Sequence, residues 1–209
     1  MEYAIITELQ YFPPLSFFTT SYGKTYIYLD IYEAYNKMSF RNRCVIAGAQ
    51  GTISLSVPLQ KGRNQRVPML EVLISDEKKW QDQHFKSIQS AYNRSPFFDY
   101  YKDELLRIYQ RPFRKLADWN LCCLNWVMEK LEWVTEIRFP EATFPFQAEG
   151  FDDRRNQVVP KNYDLLNPIK YRQVFEERAG FLKNLSILDL LFNTGKEARD
   201  LLANSRQER

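Results

Sequence analysis

A single histidine, His84, only three cysteines and only seven glycines stand in this chain of 209 residues, and each scarcity removes a class of chemistry. One histidine excludes a histidine-rich metal centre, so no metal site is expected. There is also no glycine-rich phosphate loop, no Gly-x-Ser-x-Gly elbow and no nicotinamide fingerprint, and the residues name no cofactor. Cys44, Cys122 and Cys123 fit neither a disulfide framework nor metal-ligand spacing, which predicts buried thiols in a reducing compartment. No run approaches the roughly 18 apolar residues of a membrane-spanning helix. Met1-Glu2-Tyr3-Ala4-Ile5-Ile6 lacks the basic start and apolar run of a signal peptide, so a cytoplasmic protein without a membrane span is expected. Nor is one sign of charge in excess. With 29 basic and 26 acidic residues, well mixed, nucleic-acid binding through Arg63, Arg66, Arg111 and Arg114 ranks behind a small-molecule site.

Aromatic residues are what the chain has in quantity: 13 Tyr, 15 Phe and 4 Trp predict either a core rich in rings with polar tips or a cleft lined by them. Length and an ordinary balance of apolar and charged residues predict one domain with one sizeable core, spanning 1–209.

Along the chain the pattern changes twice. Residues 1–76 are strand-rich. The β-prone runs Tyr3 to Leu9 and Thr25 to Leu29 flank a segment entered after Pro13-Pro14, which predicts strand, short helix and strand, and hence a parallel pair. Runs from Cys44 to Ile74, broken at Gly48, Gly51 and Gly62, predict a β-meander or hairpin attached to that sheet. Residues 77–134 are helical in period: Trp80, His84, Ile88 and Ala91 or Tyr92 share a face, Ser95-Pro96 opens a second helix, and Lys115 to about Val134 is apolar nearly all round. Glu136 to Phe139 reads as a short strand. Residues 140–168 lack periodicity and read as a long loop or lid, and 169–203 close the chain with helices, one over Leu185 to Phe192 stopped by Gly195. The fold class expected is therefore α/β, with a short mostly parallel sheet, an attached β-meander and a helical C-terminal half.

Ligands of open α/β sheets bind at the carboxyl ends of parallel strands, which singles out Gln10 and Asp30 as strand-end polar residues; capping of loop amides is the alternative role. Lys37, Arg41, Asn42 and Arg43 surround Phe40 with donors suited to phosphate or carboxylate, with Arg41 and Arg43 on one face if the segment is a strand. His84 is the one side chain whose ordinary pKa lies near neutrality, although it sits on an apolar helix face. Asp189 is embedded among leucines and must meet a donor if buried.

Three stretches resemble the WbqC-like family of bacterial proteins: the first strand leading into Gln10-Tyr11-Phe12-Pro13-Pro14, the segment Tyr35 to Arg43, and Gly180 to Gly195. Trp80-Gln81-Asp82-Gln83-His84 and Ala91-Tyr92 fit the same pattern, so the resemblance spans nearly the whole chain. Many members carry Gln-Pro where Gln10-Tyr11 stands. The resemblance implies a setting in surface polysaccharide (O-antigen) biosynthesis and a transferase of glycine or another aminoacyl group, acting on a sugar or sugar nucleotide. On that expectation His84 or Asp189 serves as general base, Lys37, Arg41, Asn42 and Arg43 hold an anionic group, and Gln10, Asp30 and Asn193 orient the substrate. The competing expectation is a non-catalytic sugar-nucleotide-binding or scaffold protein of the same pathway.

Overall fold

The computed structural model describes residues 4–76, 79–140, 151–166 and 169–205. Its centre is a strand with no exposed face. In β1 (Ala4–Glu8) every residue is buried, which in a parallel sheet reflects cover on both sides. Pro14 precedes α1 (Leu15–Ser21), as a residue with fixed φ and no N–H suits a helix start, and the chain returns in β2 (Tyr26–Asp30), parallel to β1 with Glu8 opposite Asp30. Two further strands, β5 (Glu136–Arg138) and β6 (Phe151–Asp153), complete a four-stranded parallel sheet of order β5-β2-β1-β6. Growth of the sheet thus reverses at β1: the chain leaves it toward β2 and β5, then crosses back to lay β6 on its other side.

The fourth strand lies inside the stretch whose lack of periodicity predicts only a loop. Three residues are too few to display a period, and β6 gains its strand character from pairing with β1 at Ala4, Ile5 and Ile6. Of the rest of the expected lid, residues 154–166 carry a 3-10 turn at Tyr163–Leu165, and 141–150 and 167–168 fall outside the described residues.

A separate hairpin, β3 (Arg43–Gly48) and β4 (Gly51–Ser56), turns over Ala49-Gln50. The meander expected here stops at two strands. Its third arm holds Pro68, which lacks a ladder donor, and forms a single 3-10 turn at Met69–Glu71 tied by isolated bridges such as Leu59 with Ile74. That arm instead braces the loop after β2: Met69 N–H donates to Glu33 O, Leu70 N–H to Ile31 O, and Tyr35 N–H to Val67 O.

Three helices follow, α2 (Trp80–Tyr92), α3 (Phe98–Gln110) and α4 (Leu116–Lys130). Trp80, His84, Ile88, Ala91 and Tyr92 form the buried face of α2, as their spacing predicts, while the expected start at Glu77 lies outside the described residues. The second helix begins three residues later than Ser95, at Phe98. Leu116, Trp119, Cys123, Leu124 and Val127 bury α4 at the centre of the molecule. After α5 (Glu176–Ala179), the last helices are α6 (Ile187–Thr194) and α7 (Glu197–Asn204), separated by Gly195 at φ 59°. A Cβ there would meet the Phe97 ring at 2.6 Å, so glycine is needed for space as well as for conformation. Among the described residues no helix is long and apolar enough to cross a membrane.

Candidate functional site at the carboxyl ends of the parallel strands

Because β1, β2 and β6 run in the same direction, their last residues and the loops after them converge. Glu8 closes β1, Asp30 closes β2 and Asp153 closes β6, with Arg155 and Asn156 two and three residues beyond it. Glu33 enters from the braced loop beyond β2, and Arg41 from the segment before β3.

Arg41 is wholly buried and donates through Nε (2.9 Å) and Nη2 to Glu33 Oε1, and through Nη2 to Asn156 Oδ1 at 3.0 Å. Its Nη1 has no hydrogen-bond partner among the described residues. Arg155 Nη1 donates to Asp30 Oδ2 at 2.7 Å, and its Nε and Nη2 clamp Asp153 at 3.0 and 2.7 Å. Asp30 also accepts at Oδ1 from the amides of Tyr32 and Glu33, so it both caps the loop and holds Arg155. Glu8 accepts from Gln10 Nε2 and from the amide of Asn156, both at 2.9 Å. Asn156 reaches this position at φ 59°, a left-handed conformation that asparagine tolerates better than most residues. From below, Asn120 of α4 donates Nδ2 to the carbonyl of Arg41 at 2.6 Å and fixes the backbone that carries the guanidinium.

Four carboxylates, Glu8, Asp30, Glu33 and Asp153, thus face two guanidinium groups. Burial pushes Glu33 up to about 7 against the opposing pull of Arg41, and the negative charge of Glu8 and Asp30 adds to the rise. Arg155 holds Asp153 below the usual carboxylate range. The arrangement is graded in depth. Glu8, Asp30 and Arg41 lie under the surface, the side chains of Glu33 and Arg155 are 12% and 21% exposed, and Asp153, at 44%, stands outermost. Such a site offers a carboxyl group that can take or give a proton near neutrality beside a fixed positive charge. Among the described residues no cluster of His, Cys, Asp and Glu has the form of a metal site.

Of the residues singled out from sequence, Asp30 and Arg41 stand in this cluster and Gln10 borders it, two residues past the end of β1 rather than at it. Arg41 precedes β3 instead of sharing a strand face with Arg43, which begins the strand. Asn42 is committed elsewhere: it accepts from Tyr35 Oη and donates to Val57 O, both at 2.9 Å. Lys37 is exposed and donates to Asn64 Oδ1 at 3.0 Å. Arg43 is half-buried, with no partner at Nε among the described residues.

His84 lies in a ring of aromatics. Its Nδ1 is 3.0 Å from Tyr11 Oη, Trp80 crosses it edge-on at 5.1 Å, and burial lowers it to about 4. Asp189 accepts from Tyr92 Oη (2.8 Å), Tyr171 Oη (2.6 Å) and Gln173 Nε2 (3.1 Å), and burial raises it to about 6. None of these partners belongs to the strand-end cluster. Tyr92 follows His84 by eight residues on α2, about 12 Å along a helix axis, so His84 and the group that holds Asp189 are well apart. Asn193 donates to the Asp189 carbonyl within α6 and lines a surface groove with Arg94, Arg172 and Glu177.

Glu8, Glu33, Asp153, Arg155, Asn156 and Asn120 are the members that sequence reasoning passed over. Two left a trace: Glu8 is the one charged residue in the first apolar run, and Asn120 is a polar residue on the same helical face as Leu116, Cys123, Leu124 and Val127.

Comparison with known proteins agrees with the residue patterns. The model of the WbqC-like protein family matches residues 10–148 and 137–201. An uncharacterized protein of Mycobacterium tuberculosis (strain ATCC 25618 / H37Rv), Rv1507c, is 30% identical over 205 residues, covering 83% of this chain and 85% of its own length. No solved structure matches.

Proposed function

We propose, from the premise that this chain belongs to the WbqC-like protein family, that it is a group transferase acting on a hydroxyl or amine of a sugar or sugar nucleotide, with aminoacyl or glycyl transfer as the reaction form. The surface-polysaccharide (O-antigen) setting implied by the family resemblance belongs to this reading. The observation that carries it is the convergence of Glu33 with Arg41 and Arg155 at the carboxyl ends of β1, β2 and β6, where the order of the sheet reverses.

Transfer to a hydroxyl or amine needs a base for the proton lost by the attacking atom and a positive group for charge that develops on the acyl oxygen or leaving group. Glu33, held near neutrality in its protonation and partly open to solvent, suits the first role. Arg155 suits the second and is already oriented by Asp30 and Asp153. His84 and Asp189 then act as buried hydrogen-bonding posts, and the base assignment moves from them to Glu33.

The test is turnover of the purified chain on amino-sugar and neutral-sugar nucleotides with activated glycine. Glu33→Gln is expected to lower kcat by about a hundredfold or more, within the range of general-base loss, and to abolish a rising pH limb centred near 7. Full turnover by a folded Glu33→Gln protein would remove the assignment. Tight binding of a sugar nucleotide with no turnover by the native chain would favour the binding-protein reading.

A further inference from the structure

A cavity lies beside Gln10, next to the charged cluster, and it has a different chemistry. Its lining includes Gln10, Ser16, Phe17, Thr20, Arg154 and Val158, with Thr7 of β1 at its base. Thr7 and Gln10 also donate to Glu8, at 3.5 and 2.9 Å, so a single layer of residues separates the cavity from the charged site.

Gln10 provides the sharpest indication of an occupant. It is 3% exposed, its Nε2 is committed to Glu8 Oε1, and its Oε1 has no hydrogen-bond partner among the described residues. A buried amide oxygen left without a donor is costly, and a small rotation of the amide toward the cavity would let a ligand O–H or N–H relieve it. The other polar groups on the wall are hydroxyls with capacity to spare. Ser16 Oγ accepts from Asn184 Nδ2 at 3.0 Å and keeps its own proton to donate. Thr20 Oγ1 donates to Ser16 O at 2.8 Å and keeps its lone pairs to accept. Arg154, paired with Asp152 at 2.6 Å and 42% exposed, stands where solvent enters. Between these lie the apolar surfaces of Phe17 and Val158.

Size narrows the choice. The cavity holds about 160 Å³, room for about five waters at roughly 30 Å³ each, whereas drug-sized ligands occupy pockets of about 300 Å³ and more. A nucleoside diphosphate does not fit; one six-membered ring does. A wall that alternates apolar surface with hydroxyl and amide groups matches a ring with C–H faces and hydroxyl edges.

We propose that this cavity is a subsite for one pyranose ring, read by a ligand hydroxyl or amine donating to Gln10 Oε1, and that it seats the acceptor sugar of the transfer reaction. The binding claim stands on the cavity alone, while the acceptor role rests on the transferase reading above. Donation to Gln10 Oε1 would polarise the amide and strengthen its bond to Glu8, which couples occupancy of this subsite to the charged site.

Calorimetric titration of the full chain with a methyl hexopyranoside and, separately, with uridine diphosphate tests both claims. Thr20→Leu should fill the cavity without loss of a tertiary hydrogen bond, since among the described residues the Thr20 hydroxyl bonds only within α1. The expected result is hexoside affinity lowered at least tenfold by Thr20→Leu and by Gln10→Met. Diphosphate affinity should be unchanged by Thr20→Leu and weakened by Arg155→Ala. Hexoside binding unaffected by Thr20→Leu, or absent from the native chain while uridine diphosphate binds, overturns the subsite and leaves the transferase reading standing. Absence of both overturns the subsite and removes support for the reading on which the acceptor role rests.

Discussion

His84 and Asp189 carry opposite electrostatic costs at the same pH. His84 is lowered from 6.5 to about 4 by burial, so the stability it contributes is complete above pH 6.5 and is lost as pH falls toward 4. Asp189 is raised from 3.8 to about 6, so its contribution is complete below pH 3.8 and is lost as pH rises through 6. Each shift of about two units corresponds to about 3 kcal/mol, and between pH 4 and 6 the two slopes oppose each other. Glu33, raised from 4.5 to about 7, adds a slope of the same sign as Asp189. Replacing Asp189 by Asn removes one arm of this balance. Urea midpoints measured from pH 4 to 7 should show Asp189→Asn gaining about 3 kcal/mol on the native chain as pH rises. A difference between the two proteins that stays constant with pH would show that Asp189 is not raised by its surroundings.

At the scale of elements, the short stretch Leu185 to Ile187 joins parts of the fold that are distant in sequence. Leu15 N–H donates to Leu185 O, Ser186 N–H to Val45 O, and Ile187 N–H to Pro13 O, which stitches the entry to α1, the hairpin and α6 together. Ser186 caps α6 by accepting from Leu188 N–H at 3.4 Å, and its hydroxyl donates to Phe12 O at 2.9 Å. Phe12 sits at φ 38°, strained for a bulky residue, and this bond helps hold it there. Ser186→Ala is therefore expected to destabilise the protein by about 1–2 kcal/mol, more than an exposed cap loss, because a buried carbonyl also loses its donor. Denaturant unfolding at constant m-value would measure it; a change within about 0.5 kcal/mol, the usual size for a neutral surface substitution, would deny Ser186 its joining role.

Across the whole molecule, one continuous apolar cluster runs from Ile5 of β1 through Ile46 of β3 and Trp119 of α4 to Leu202 of α7. Sheet, hairpin and helices share this core, and the sheet-side loops are bonded to α4 and α6. The chain should consequently unfold in one cooperative transition, with tryptophan fluorescence and far-ultraviolet circular dichroism giving coincident curves. Separate midpoints would show that the hairpin and helices form a unit independent of the sheet.

Much of this organisation is legible from residue order alone because it depends on local properties. Proline placement sets the start of α1, the buried stripe Trp80, His84, Ile88 and Tyr92 identifies α2, and Gly195 ends α6 through conformations available within a few residues. The parallel pairing of β1 with β2 follows from strand, short helix and strand. Asp30 and Arg41 could be singled out because strand ends and clustered guanidinium groups have known uses. The remainder depends on distance in space. β6 is a strand only because β1 lies beside it, and only that pairing brings Arg155 to Asp30, 125 residues earlier in the chain. Glu33 differs from any other loop glutamate solely through burial against Arg41 and proximity to Glu8 and Asp30, and Gln10 through an amide oxygen that has no donor among the described residues. Sequence by itself determined most of the elements and the family, since these rest on local propensity and pattern; only the tertiary structure decided that β6 is a strand and which charges meet, because pairing, charge interaction and desolvation are set by separation and burial in the folded chain.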